Sequence, residues 1–169
     1  MKKRFYLFAL MIALSTGLCA AYQGAGKAQP AKPASAAASA HITVAAGELQ
    51  WSPMFLGLER AAVSGDSNAV GVPFVIRLRA KKGASVPAHW HPVDENITVL
   101  AGTLKLGMGD KFDPKALHAM AAGTYSFMPK NTRHFGTFSP GSVIQVHGTG
   151  PFVLNFVNPA DDPRKPATK

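Results

Sequence analysis

The chain has 169 residues, a formal net charge of +9 and a single cysteine. This length suits one packed domain, and the lone cysteine excludes a disulfide-stabilised scaffold. The basic residues are dispersed, without a basic helix or a nucleic-acid-binding motif, so we expect no nucleic-acid partner. Triad hydrolases and nucleotide-dependent enzymes are also disfavoured, because the sequence contains no nucleophile elbow, phosphate-binding loop or dinucleotide fingerprint.

The N-terminus has the pattern of an export signal. Lys2, Lys3 and Arg4 precede an apolar run over residues 5–14, and small residues follow it. This run is too short to cross a bilayer, which favours a signal peptide over residues 1–21. Cleavage there lowers the formal charge to about +6. We therefore expect a periplasmic or secreted protein that has no membrane attachment after signal cleavage.

The rest of the chain divides into three segments. Residues 22–40 are rich in Ala, Pro and Gly and can bury almost nothing, so they predict a flexible tether. Residues 41–162 have the length of one domain. Residues 163–169 combine prolines with charges and predict a disordered tail.

Short apolar runs, separated by Gly, Pro, Asn and Asp about every ten residues, predict an all-β barrel or sandwich. The predicted strands cover residues 48–51, 58–64, 72–79, 88–91, 96–101, 103–108, 124–127, 134–138, 142–147 and 152–157. One short helix is expected after Asp113, which can cap it, with Pro114 in the first position and residues 115–120 following. Alternation along residues 72–79 places Arg77 and Arg79 on one strand face. We interpret that face as solvated rather than as an anion-steering stripe.

The most informative segment is His89-Trp90-His91, which is followed by Glu95. Histidines two apart in a strand point to the same face, so both imidazoles can reach one ion. The intervening Pro-Val-Asp predicts a tight turn that returns Glu95 beside them. These residues form the frame G-x5-H-x-H-x3-E-x6-G over residues 83–102.

A second frame, G-x5-P-x-N-x2-H, runs from Gly123 through Pro129 and Asn131 to His134. Residues 129–132 predict a turn with a positive φ at Asn131. Together the two frames contain three imidazoles and one carboxylate, which suit one divalent first-row transition metal. The absence of cysteine ligands argues against closed structural zinc. The spacing leaves Fe, Mn, Ni, Co, Cu and Zn open.

The two frames resemble the paired motifs of the cupin superfamily. The first frame matches at every expected position: Gly83, His89, His91, Glu95 and Gly102. The second departs at Asn131, where cupins usually have glycine, and at Phe138, where they have asparagine. The resemblance covers roughly residues 70 to 158. More narrowly, residues 89–113 and 145–151 look like a group of small exported bacterial cupins of largely unassigned role.

This resemblance implies a single-domain, antiparallel cupin β-barrel, of the double-stranded β-helix or jelly-roll type, with one short helix or loop between the motifs. It also implies that His89, His91, Glu95 and His134 bind one metal ion per chain.

The resemblance does not identify a catalytic residue. Gln145 and His147 share one strand face, and they would be candidates for substrate contact if that face were interior. The alternative is a surface pair near the barrel rim.

Two functions remain open, because the cupin barrel supports many chemistries. The first is a metal-dependent enzyme, dioxygenase-like or isomerase-like, acting on a small organic molecule. The second is a non-catalytic periplasmic protein that binds or senses a small molecule or a metal. The sequence leaves a homodimer open as an alternative to a monomer.

Overall fold

The computed structural model describes residues 41–165. The predicted signal peptide, the tether and residues 166–169 lie outside this range. The strands are β1 Ser52–Pro53, β2 Leu58–Ser64, β3 Pro73–Ala80, β4 Ser85–Trp90, β5 Glu95–Ala101, β6 Thr103–Met108, β7 His118–Ala121, β8 Tyr125–Met128, β9 His134–Phe138, β10 Val143–Thr149 and β11 Asn155–Phe156. Three 3-10 helices cover Ala46–Glu48, Pro114–Ala116 and Pro159–Asp161. No helix among residues 41–165 combines the length and apolar character needed to span a bilayer.

The strands form two antiparallel sheets, which confirms the predicted all-β, cupin-type fold. One sheet has the order β1-β2-β3-β10-β5-β8, and the other has the order β11-β4-β9-β6-β7. Consecutive strands often lie in different sheets, as β4 and β5 do, so the chain crosses repeatedly between the two layers. The residues at one such crossing are those of the first sequence frame.

The core lies between the two sheets and follows the period-two alternation of the strands. In β3, Phe74 and Ile76 are buried inside, where they pack with Val99 of β5 and Val146 of β10. The opposite face of β3 carries the two arginines, as expected for an outer face. Arg79 pairs there with Glu59, with 2.8 Å between its Nη2 and the carboxylate.

Two predicted strands are wrong or too long. Residues 48–51 do not form a strand, because Glu48 turns back and accepts a hydrogen bond from the Ala45 amide at 2.9 Å. The strand predicted over residues 152–157 shrinks to β11. Phe152, the first residue of the predicted strand, lies in a loop, where its amide donates to the Ser67 carbonyl at 2.7 Å.

The connection between the two frames also differs in part from the prediction. Asp113 caps the expected turn by accepting from the Lys115 amide at 2.8 Å, and Pro114 occupies its first position. The helix ends at Ala116, because residues 118–121 form β7, which pairs with β6. Burial of Met120 against the core outweighs the local helical pattern.

The predicted turn over residues 129–132 is confirmed. Asn131 has a φ of 66°, and the Thr132 amide donates to the Pro129 carbonyl at 3.1 Å. The Asn131 amide also donates to the His91 carbonyl at 2.8 Å. This hydrogen bond links the second sequence frame to the first.

Asn131→Gly should retain the stability of the wild type, whereas Asn131→Val should lower it by about 1–3 kcal/mol. Glycine adopts a positive φ without steric cost, while a β-branched residue is strained there. Chemical denaturation of the two variants tests this. Equal stability of the valine and glycine variants would contradict the assigned turn.

Candidate metal centre

The four predicted ligand residues meet between the two sheets. His89 lies in β4 and pairs directly with His134, the first residue of β9. His91 follows β4 immediately, and Glu95 begins β5 in the opposite sheet. The site therefore takes side chains from both layers, and its geometry depends on how the sheets are stacked.

The side chains converge closely and are shielded from solvent. The histidine nitrogens that could serve as ligands all lie within 4.8 Å of one another. Glu95 Oε2 lies 3.3 Å from His134 Nε2 and 3.6 Å from His91 Nε2. All four residues are at most 6% exposed. The structure thus brings together the set that the sequence predicted.

Backbone carbonyls orient all three imidazoles. Nδ1 of His89 donates to the Pro87 carbonyl at 2.7 Å, and Nδ1 of His91 donates to the Val153 carbonyl at 2.8 Å. Nδ1 of His134 donates in the same way to the Thr132 carbonyl, at 3.0 Å. A carbonyl oxygen only accepts, so each Nδ1 carries the proton and each neutral ring has an unprotonated Nε2.

The inner face of the cluster consists of acceptors. The Nε2 atoms of His91 and His134 face the Glu95 side chain, whose buried Oε2 has no hydrogen-bond partner among the described residues. Buried lone pairs that face one another without a proton between them are unfavourable unless a cation joins them. The donor set therefore fits a divalent metal ion.

Burial also disfavours protonation of the histidines. The pKa of His89 is well below its usual value of 6.5, chiefly because desolvation penalises the imidazolium, with nearby His134 and His91 adding repulsion. The pKa of His91 is also lowered, again chiefly by desolvation, and Glu95 opposes that effect. Neutral imidazole is the form that binds metals.

A cavity of about 300 Å³ opens beside the four residues. Most of its wall is apolar and is contributed by Ile76, Leu78, Ile97, Leu104, Leu106 and Ile144. Phe138 also lines it. Phe152 covers one side of the site, where its ring stacks on His91 with centroids 4.0 Å apart and planes at 15°. This volume is at the low end for ligand-binding pockets and suits a small molecule.

Gln145 and His147 do not line the cavity. They are therefore not in a position to contact a substrate there, contrary to their selection as catalytic candidates. In β10, Ile144 and Val146 point into the core, so the alternate residues face outward. Gln145 accepts there from Arg77 Nε at 3.2 Å. Both residues are half-buried on this outer face.

Two arginines at the cavity were missed by the sequence analysis. Arg60 lies in β2 and shares its inner face with the buried Leu58, a period-two signal that could have identified it. Arg164 falls within the predicted disordered tail. It nevertheless donates to the Leu154 carbonyl at 3.0 Å and binds Asp162 through Nε and Nη2. The first residues of that segment therefore contact the barrel.

Comparison with known proteins agrees with the fold. The two-sheet barrel with ligand-type residues from paired frames is that of a cupin. The sequence matches the ChrR cupin-like domain over residues 39–153, and the chain belongs to that family. No match was found among curated proteins.

Several solved structures share the fold at low sequence identity. The polyketide cyclase RemF from Streptomyces resistomycificus is 16% identical, with a TM-score of 0.59 over 73% of this chain and 90% of that one. An acetylacetone dioxygenase from Acinetobacter johnsonii is 14% identical, with a TM-score of 0.55 over 74% and 82% of the two chains. An RmlC-like cupin from Shewanella frigidimarina is 17% identical, with a TM-score of 0.53 over 66% and 91%. At these identities, the similarity establishes the fold alone.

Acid should destabilise the metal-free protein through the buried histidines. The pKa values of His89 and His91 lie below 6.5 in the folded state, so the unfolded chain binds more protons as the pH falls. Stability should therefore decrease from about pH 6.5 downward, towards the lowered folded-state values. Thermal melts of chelator-treated wild type and His89→Gln at pH 7.5 and pH 5.5 should show the larger decrease in the wild type. Equal decreases in the melting temperature of the two proteins would show that His89 does not cause the acid destabilisation.

Proposed function

We propose that the protein is an exported, mononuclear metal-dependent cupin that acts on a small organic molecule. His89, His91, Glu95 and His134 are the proposed ligands. The observation that supports this most strongly is the acceptor-only inner face of the cluster, with an unpartnered Glu95 oxygen and with every Nδ1 bonded to a carbonyl. A divalent cation would complete such a set.

The side chains of the site would have three tasks. The histidines hold their Nε2 lone pairs in place without reorganisation, because their tautomers are set by the backbone. Glu95 contributes the negative charge that balances part of a divalent ion. The apolar wall and the Phe152 ring exclude water from the adjoining cavity. When bound, the ion would supply Lewis-acid or redox chemistry at coordination positions left open by the protein.

The cavity favours oxidoreductase chemistry of the dioxygenase type over isomerisation. Apart from Glu95 and the three histidines, its lining contains no carboxylate, imidazole, lysine or tyrosine among the described residues. An isomerase usually requires a separately positioned general base, and His147, the candidate whose side chain could have served as one, faces outward. An oxidation that takes place on metal-bound reactants needs no such base. The acetylacetone dioxygenase with this fold illustrates such a use of the barrel.

The same observation keeps a second candidate open, a non-catalytic small-molecule binder. An apolar cavity without an acid or base can hold a ligand without transforming it. The two candidates differ in turnover, since only the enzyme consumes dioxygen together with its substrate.

His91→Ala should bind much less metal than the wild type, because one of four donors is lost from a buried site. Elemental analysis of both proteins after purification under the same conditions measures the occupancy. His118→Ala is a matched control, since His118 lies on β7 outside the cavity and should leave occupancy unchanged. Equal metal in the wild type and a His89→Ala/His91→Ala double variant would refute the assigned ligands.

Iron-loaded wild type should consume dioxygen in the presence of a suitable member of a panel of β-diketones and small carboxylates. His91→Ala and chelator-treated protein should not, because the reaction depends on the ion. Oxygen-electrode traces with product analysis measure this. Saturable binding of a panel compound without oxygen uptake would favour the non-catalytic binder.

A further inference from the structure

Arg60 is a positive charge at the cavity wall with no carboxylate partner. Among the described residues its guanidinium makes one hydrogen bond, from Nη2 to Ser67 Oγ at 2.7 Å. No ion pair joins it to an acidic residue within residues 41–165. Its neighbour in sequence, Glu59, faces outward and pairs with Arg79 and Lys81.

The other arginine at the cavity already has an acidic partner. Arg164 forms a two-point contact with Asp162, with 2.6 Å and 2.9 Å between their atoms. Glu95 belongs to the proposed ligand set, where a divalent ion would more than balance its charge. Arg60 is therefore the cation of the cavity that has no acidic partner among the described residues.

Arg60 is also held in place. It lies on the inner face of β2, as Leu58 does, and pairs across the sheet with Leu78 of β3. Ser67, which accepts its hydrogen bond, is only 4% exposed, and the Ser67 carbonyl accepts from the Phe152 amide at 2.7 Å. Phe152 in turn stacks on His91. A short series of contacts thus relates the position of the guanidinium to that of the proposed metal centre.

We propose that Arg60 binds the carboxylate of a small substrate whose apolar body fills the cavity. The proposal rests on the proposed function in that it names the substrate class of the same site. A partly buried charge is stable when it is paired, and the planar guanidinium matches a carboxylate with two parallel hydrogen bonds. The apolar wall accommodates a hydrocarbon or aromatic body, which would lie between Arg60 and the metal ligands.

Benzoate and benzamide test the proposal, because they have similar shapes and differ in charge. Isothermal titration calorimetry should show that zinc-loaded wild type binds benzoate more tightly than benzamide by about 10- to 100-fold, the range expected for a hydrogen-bonded charge pair. Arg60→Met should bind the two probes equally. Arg77→Met removes the same charge from the outer face of the adjacent strand and should retain the wild-type preference.

The same titrations with chelator-treated protein separate Arg60 from direct carboxylate binding by the ion. The benzoate preference should persist without metal in the wild type and be lost in Arg60→Met. If Arg60→Met does not fold, as judged by circular dichroism, Arg60→Gln replaces it, since glutamine can still bond to Ser67.

An unchanged preference in the folded Arg60 variant would overturn the proposal, and so would a wild type that binds neither probe or binds both equally. Metal analysis of the same samples tests the proposed function separately. Arg60→Met should contain as much metal as the wild type, because Arg60 is not a ligand. If zinc-treated samples contain no metal but the benzoate preference is still lost in Arg60→Met, that result would count against the metal centre alone.

Discussion

The site depends on the bonds between three backbone carbonyls and the Nδ1 atoms of His89, His91 and His134. These bonds determine which nitrogen of each ring carries the proton, and hence that the Nε2 atoms point inward as acceptors. One of the three carbonyls, that of Val153, comes from a segment distant in sequence. The chemistry of the cluster is therefore a property of the folded barrel rather than of the histidines alone.

Burial strengthens this arrangement in two ways. It lowers the pKa of His89 and His91, so that their rings stay neutral and able to bind a metal. It also leaves Oε2 of Glu95 without a hydrogen-bond partner among the described residues. Both effects raise the free energy of the protein without a cation and favour the bound state. Packing in the apolar core, which includes Phe74 and Val146, offsets this local destabilisation.

The cavity places two different kinds of recognition close together. The donors of the proposed metal centre line this cavity. So does Arg60, whose guanidinium has no acidic partner among the described residues. Phe152 connects them, since its ring stacks on His91 and its amide is bonded to the residue that holds Arg60. A ligand with an apolar body and one acidic end would satisfy both sides. The absence of a further acid or base in the described lining leaves any chemistry to the ion and its ligands.

The sequence by itself determined the all-β class, most strand positions and the residues that come together in the candidate site. These follow from local patterns: period-two alternation, the turn residues and the spacing of His89, His91, Glu95 and His134. It also predicted the positive φ of Asn131, because that depends on one turn. Only the tertiary structure decided that Gln145 and His147 face outward, since alternation defines two faces without saying which is buried. The stacking of the sheets likewise placed Arg60 and Arg164 at the cavity, and pairing with β6 turned residues 118–121 into a strand. These features arise from contacts between segments far apart in the chain, which no local pattern contains.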